Sequence, residues 1–149
     1  GALIPISVRG NTVTVDTSHN NTPVWVGIKY TMSYTFSEQL FRQRANQKRS
    51  PSGYQRHFLK GGTLFFDDTA SFKVEVTPKA RQTYTNTFSS NIVGSTTIGT
   101  LPIESGSFSF PIMSSAKDTT IKIINDSALP GNFQSAEFES FIHSRSQRV

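Results

Sequence analysis

From Val24 to Phe36 every even-numbered residue is apolar: Val24, Val26, Ile28, Tyr30, Met32, Tyr34 and Phe36. The odd positions are Gly27, Lys29, Thr31, Ser33 and Thr35, with Trp25 the exception. Side chains alternate across a strand but return every 3.6 residues on a helix, so a sustained period of two demands β-structure. At about 3.3 Å per residue such a strand would run about 40 Å, longer than most, and a bend or bulge is expected at Gly27. Its even face is expected to be core. Trp25, on the polar face, reads either as a satellite core contact or as an interface anchor, a role in which tryptophan is enriched.

The same alternation recurs along the chain. Val13 and Val15 alternate with Thr12, Thr14 and Asp16, and Thr63 to Phe66 reads as a strand with Asp67-Asp68 as its turn. Phe72, Val74 and Val76 make another strand, closed by Pro78, and Gln82 to Phe88 is a threonine-rich one. Phe108, Phe110 and Ile112 alternate with serines and Pro111, Thr119 to Ile124 is a strand, and Asn125 to Asn132 is a long turn. Residues 133–144 close the chain's pattern, with Ala136, Phe138 and Ile142 on one face and Glu137 and Glu139 on the other. Ser37 to Gln47 has weak helical character, and Arg49 to Gly53 has loop composition. A chain of 149 residues without cysteine has to build its core from side-chain packing alone. About eight strands with polar connections predict a single all-β domain over 1–149. The expected form is an antiparallel two-sheet sandwich or small barrel with one long basic loop.

That loop spans 42–60. It holds Arg42, Arg44, Lys48, Arg49, Arg56 and Lys60 together with His57 and no acid, and it dominates a net charge of +5. Such a run suggests nucleic acid, with a solvated loop as the bland reading. No apolar run approaches the roughly 20 residues of a membrane span, and no secretory leader is visible.

Catalytic chemistry finds little support. His19, His57 and His143 lack metal-site spacing, and no HExxH, GxSxG, phosphate-binding loop or GxGxxG occurs. Adjacent Asp67 and Asp68 would point to opposite faces of a strand. Glu137 and Glu139 share a face at about 6.6 Å of rise, a spacing compatible with a glycosidase acid and base. The plainer reading is two solvated carboxylates, paired to Arg145 or Arg148. No catalytic residue, metal or cofactor is therefore expected.

From about Val24 the order of several segments carries more information. Tyr34-Thr35-Phe36-Ser37 precedes the basic run, and Gly62-Thr63-Leu64 and Phe72-Lys73-Val74-Glu75-Val76 follow it. Then come Ser105-Gly106-Ser107-Phe108, Pro111-Ile112 and the stretch Ile121-Lys122-Ile123-Ile124-Asn125-Asp126-Ser127-Ala128-Leu129-Pro130. Gln134-Ser135-Ala136-Glu137-Phe138 and Arg145-Ser146-Gln147-Arg148 end the series. This order resembles the C-terminal region of tail tubular protein B, the tail nozzle of short-tailed bacteriophages.

The resemblance implies a non-enzymatic virion protein, made in the host cytoplasm, of which this chain would be an excised C-terminal portion. It implies a hexameric ring that encloses the DNA exit channel, contacts adaptor and tail-fibre proteins, and passes DNA without binding it specifically. Asn125, Asp126, Ser127, Glu137 and Phe138 would be structural residues of the family motif. Trp25, the six cations of the basic run, Arg145 and Arg148 would be subunit or fibre contacts. Two other classes stay open: a carbohydrate-binding or polysaccharide-degrading tail domain using Trp25 and Tyr54 as platforms, and a nucleic-acid-binding β-barrel using the basic run.

Overall fold

A computed structural model describes residues 6–14, 27, 30–39, 56–90 and 102–143. Nine strands are present among them. A small hairpin pairs β1 (Ser7–Arg9) with β2 (Thr12–Thr14). Its turn uses Gly10 at φ 61°, a left-handed conformation that glycine adopts without steric cost. The remaining strands are β3 (Met32–Thr35), β4 (Arg56–Thr69), β5 (Ser71–Pro78), β6 (Tyr84–Ser89), β7 (Glu104–Ser115), β8 (Thr119–Asn125) and β9 (Asn132–His143). They form two open antiparallel sheets, one ordered β3-β8-β5-β6 and the other β7-β4-β9. The architecture is thus the two-sheet sandwich rather than the barrel.

The core follows from the alternation. Phe72, Val74 and Val76 of β5 and Ile121 and Ile123 of β8 are buried on one sheet. Leu64 and Phe66 of β4 and Phe110 and Ile112 of β7 meet them from the other. Phe72 is the hub between the sheets. Its ring centroid lies 5.4 Å from Phe66, 5.0 Å from Phe88, 5.5 Å from Phe108 and 5.2 Å from Phe133, so it touches β4, β6, β7 and β9. On the opposite flank Phe36, just beyond β3, meets Phe138 of β9 edge-to-face at 5.3 Å. Tyr84 closes the β6 flank by donating to the Ile112 carbonyl at 2.6 Å. Burial pushes its phenol above the usual range, with Arg81 opposing, so the hydroxyl stays a neutral donor.

Three expectations are corrected. The long strand from Val24 is, among the described residues, only the four residues of β3, and Gly27, Tyr30 and Thr31 lie outside it. Its even face is not uniformly core: Met32 and Phe36 pack against the core, but Tyr30 and Tyr34 are 76% and 57% exposed. The cause is position, because β3 is an edge strand with the sandwich on one side only.

The basic run is not loop throughout, since residues 56–60 begin β4, the central strand of its sheet. Leu59 is buried there, and so are Gly62, Leu64 and Phe66. The inward face thus switches from odd to even positions. A register shift lies between Leu59 and Gly61 against both neighbours: Lys60 is an extra residue against β9, whereas against β7 the extra residue lies in β7, between Pro111 and Ser114, and such a break defeats a period-two reading.

Asp67-Asp68 is likewise not a turn. It sits within β4 at a second irregularity, between Phe66 and Thr69, where Asp68 takes φ 44°. The Asp67 carboxylate accepts there from Ser105 Oγ and from the Asp68 N–H.

Candidate subunit-contact surface

The three-stranded sheet turns a polar face outward. Across β4 and β7 the hydroxyls of Thr63 and Ser109 lie 3.0 Å apart. Beside them on β9, Glu137 and Glu139 stand opposite Thr63 and Gly61. Lys60, displaced by its bulge, reaches Glu139 at 2.8 Å. Glu139 is therefore held by Lys60; Arg145 and Arg148, its expected partners, lie outside the described residues.

Both members of this pair are substantially exposed, so the bridge contributes little to stability. Lys60→Gln is expected to change stability by no more than about 0.5 kcal/mol in denaturant melts. A loss above about 1.5 kcal/mol would show that the pair, and not the backbone bulge, holds β4 to β9.

The four-stranded sheet is also polar outside, with Lys73, Glu75 and Lys122 on adjacent strands and Thr85 and Thr87 on β6. Lys73 binds Asp126 at 2.7 Å, and Lys79 lies 3.8 Å from Asp118. Glu137 and Glu139 share one exposed face, as the alternation predicts. However, one of the two is already ion-paired on an open surface, which gives no setting for an acid and base working together. Among the described residues no group of His, Asp or Glu side chains is arranged to hold a metal ion. No helix there is long and apolar enough to cross a membrane. The His57 ring meets the Gln39 carbonyl at 3.0 Å, tying the start of β4 to the segment after β3.

The predicted contact residues divide sharply. Trp25, Arg42, Arg44, Lys48, Arg49, Arg145 and Arg148, and the platform candidate Tyr54, fall outside the described residues, as do His19 and the proposed loop 49–53. Arg56 begins β4 opposite His143. Of the motif residues, Phe138 packs on the core, while Asn125, Asp126 and Ser127 form the crossing between sheets.

The sequence reading missed the exposed aromatic surface. Phe58 and Phe141 face each other across β4 and β9, 37% and 52% exposed. Phe141 was legible, since it falls on the outward parity of β9. Phe58 was hidden by the loop-like composition around it. Tyr30 and Tyr34 add a second exposed aromatic pair near β3.

The surface is thus a polar, open pair of sheets with exposed aromatic and strand edges, suited to protein contact. A search of curated proteins finds no match to the chain. A family model described as bacteriophage nozzle protein matches residues 4–149. The match covers almost the whole sequence, including both sheets, and the chain belongs to the bacteriophage nozzle protein family.

Proposed function

We propose that this chain works by subunit assembly, as part of a nozzle ring that encloses the DNA exit channel of a short-tailed phage and seats adaptor and fibre proteins. Family membership makes it a structural protein of the phage tail, and hence of the virion. The observation that carries the finer reading is the extent of that match, joined to a fold whose described surface offers edges and aromatic side chains but no reactive constellation. Antibodies raised against the chain should label the tip of the tail on intact virions in electron micrographs. Labelling confined to the capsid, or none, would sink the proposal.

Within it, Trp25 is proposed as an interface anchor, and Arg42, Arg44, Lys48, Arg49, Arg56, Lys60, Arg145 and Arg148 as contacts to carboxylates of neighbouring subunits or fibres, where arginine forks bind bidentately. Lys60 already has such a partner in Glu139, but an exposed pair exchanges partners at little cost. DNA is the competing partner for the basic run. Six to ten phosphate contacts shift affinity by about 10³–10⁵ between 50 and 200 mM salt, and a conduit holding its genome so tightly would not release it. DNA binding by the chain is therefore expected to be weak and to vanish near physiological salt. Submicromolar binding at about 150 mM salt, lost when the six cations of the run become serine, would make DNA their partner.

A further inference from the structure

Among the described residues the two sheets leave four edges, and these differ in kind. In the three-stranded sheet, β7 carries Pro111 and a positive-φ Met113, and β9 carries Glu137 and Glu139 and a register shift between the partners of Phe65 and Phe66. Proline, charge and bulges are the devices by which proteins keep an edge strand from pairing with another chain. The four-stranded sheet lacks them. Its β6 edge reads Tyr-Thr-Asn-Thr-Phe-Ser, and its β3 edge reads Met-Ser-Tyr-Thr. Neither contains a charge or a proline, and each pairs with its inner neighbour in unbroken register.

We propose that β6 of one copy pairs with β3 of the next, so that the four-stranded sheet continues from subunit to subunit. Strand direction supports this pairing over others. With four strands all antiparallel in the order β3-β8-β5-β6, the two edge strands run in opposite directions. Copies related by rotation about an axis parallel to the strands would then bring β6 and β3 together antiparallel, the directly hydrogen-bonded arrangement. The contact is heterologous, since different surfaces meet, and a repeated heterologous contact closes a ring when its rotation divides a full turn.

Side-chain parity adds specificity. Tyr84, Asn86 and Phe88 share the inward parity of β6, and Met32, Tyr34 and Phe36 share that of β3, with Tyr34 left exposed at the edge. In a pairing that keeps inner faces together, the exposed Tyr34 of one copy lies on the same side as Tyr84 and Phe88 of its neighbour, where its ring would be withdrawn from water. The inference rests on the ring-forming reading above and names the edges that would join.

The chain has no cysteine, so single thiols can be placed at will. Ser33→Cys on β3 and Thr85→Cys on β6 both mark exposed positions. Mixed at equal concentration and treated with a short bismaleimide, the two variants should give the mixed dimer about fivefold above the amount set by random collision. Adding Thr87→Lys to the Thr85→Cys variant should remove the enrichment while leaving its melting temperature close to that of Thr85→Cys alone. A random distribution of cross-links overturns the proposal. So does a predominance of Thr85→Cys homodimers, which would mean that β6 pairs with itself across a two-fold axis, and so does an enrichment indifferent to Thr87→Lys. If any of these occurs while antibodies still label the tail tip, the edge assignment falls and the tail role stands. If the labelling fails, the tail role falls by itself.

Discussion

Phe72→Ala is expected to destabilise the chain by about 4 kcal/mol in denaturant melts, a large share of the about 5–15 kcal/mol by which domains are usually stable. The estimate follows from where the ring sits. Phe72 is 2% exposed and its ring meets four others, two from edge strands of the opposite sheet and one from that sheet's centre. Deleting it removes the transfer energy of a phenyl group and also opens a cavity. The cavity walls belong to different sheets and cannot close without moving strands. Each aromatic pair adds about 0.5–1.5 kcal/mol beyond burial, which places this site toward the upper end for such changes. Phe72→Leu keeps most of the volume and should cost clearly less. A loss under about 1 kcal/mol for Phe72→Ala would mean that the sheets are held mainly elsewhere, along the Phe36–Phe138 flank.

The sequence revealed this hub only in part. The alternation of Phe72, Val74 and Val76 marked β5 as half-buried, and the same rule located β7 and β9 together with their opposed faces, and β8 as a strand. It did so because these strands keep one register along the stretches that carry the pattern. The rule failed where register breaks. At Lys60 an extra residue flips the inward parity of β4, and at Asp68 a left-handed residue interrupts its pairing, so one long strand read as a loop, a short strand and a turn.

A second limit concerns position within a sheet. Met32, Tyr34 and Phe36 share a parity, and periodicity has no term for the edge at which Tyr34 is left exposed. Partners distant in sequence were also beyond reach. Glu137 and Glu139 were visible as a pair on one face, but the lysine that engages Glu139 lies 79 positions earlier, and only the β4–β9 register brings it there. For the contact surface, composition marked the basic run, and chain order carried the family resemblance. The uncharged edges of β3 and β6 acquired meaning only once strand order was known.

Asn125→Ala is expected to cost about 2–3 kcal/mol, a large effect for one polar side chain. Asn125 ends β8 and is 8% exposed. Its Oδ1 accepts from the Ser127 N–H at 3.0 Å and from the Ser127 hydroxyl at 2.7 Å, and its Nδ2 donates to the Leu129 carbonyl at 3.2 Å. Alanine abolishes all three bonds and leaves the Leu129 carbonyl and a backbone N–H with poorer partners in a half-buried turn. That turn is where the chain leaves the four-stranded sheet for β9 of the other. Another crossing, from β4 to β5, runs beside it: the Ala70 N–H donates to the Pro130 carbonyl at 3.1 Å, and the Asn132 N–H donates to Thr69 Oγ1 at 2.9 Å. Loosening one crossing therefore weakens the anchorage of the other. Asn125→Asp keeps the acceptor that Ser127 uses but turns a carboxylate oxygen toward the Leu129 carbonyl and buries a charge, so it should cost at least as much as alanine. Lys73→Gln, which removes only the exposed pair with Asp126, should cost less than about 1 kcal/mol. This ranking is the test. Equal losses for Asn125→Ala and Lys73→Gln in parallel melts would mean that the turn is held by its surface ion pair and not by the carboxamide at its base.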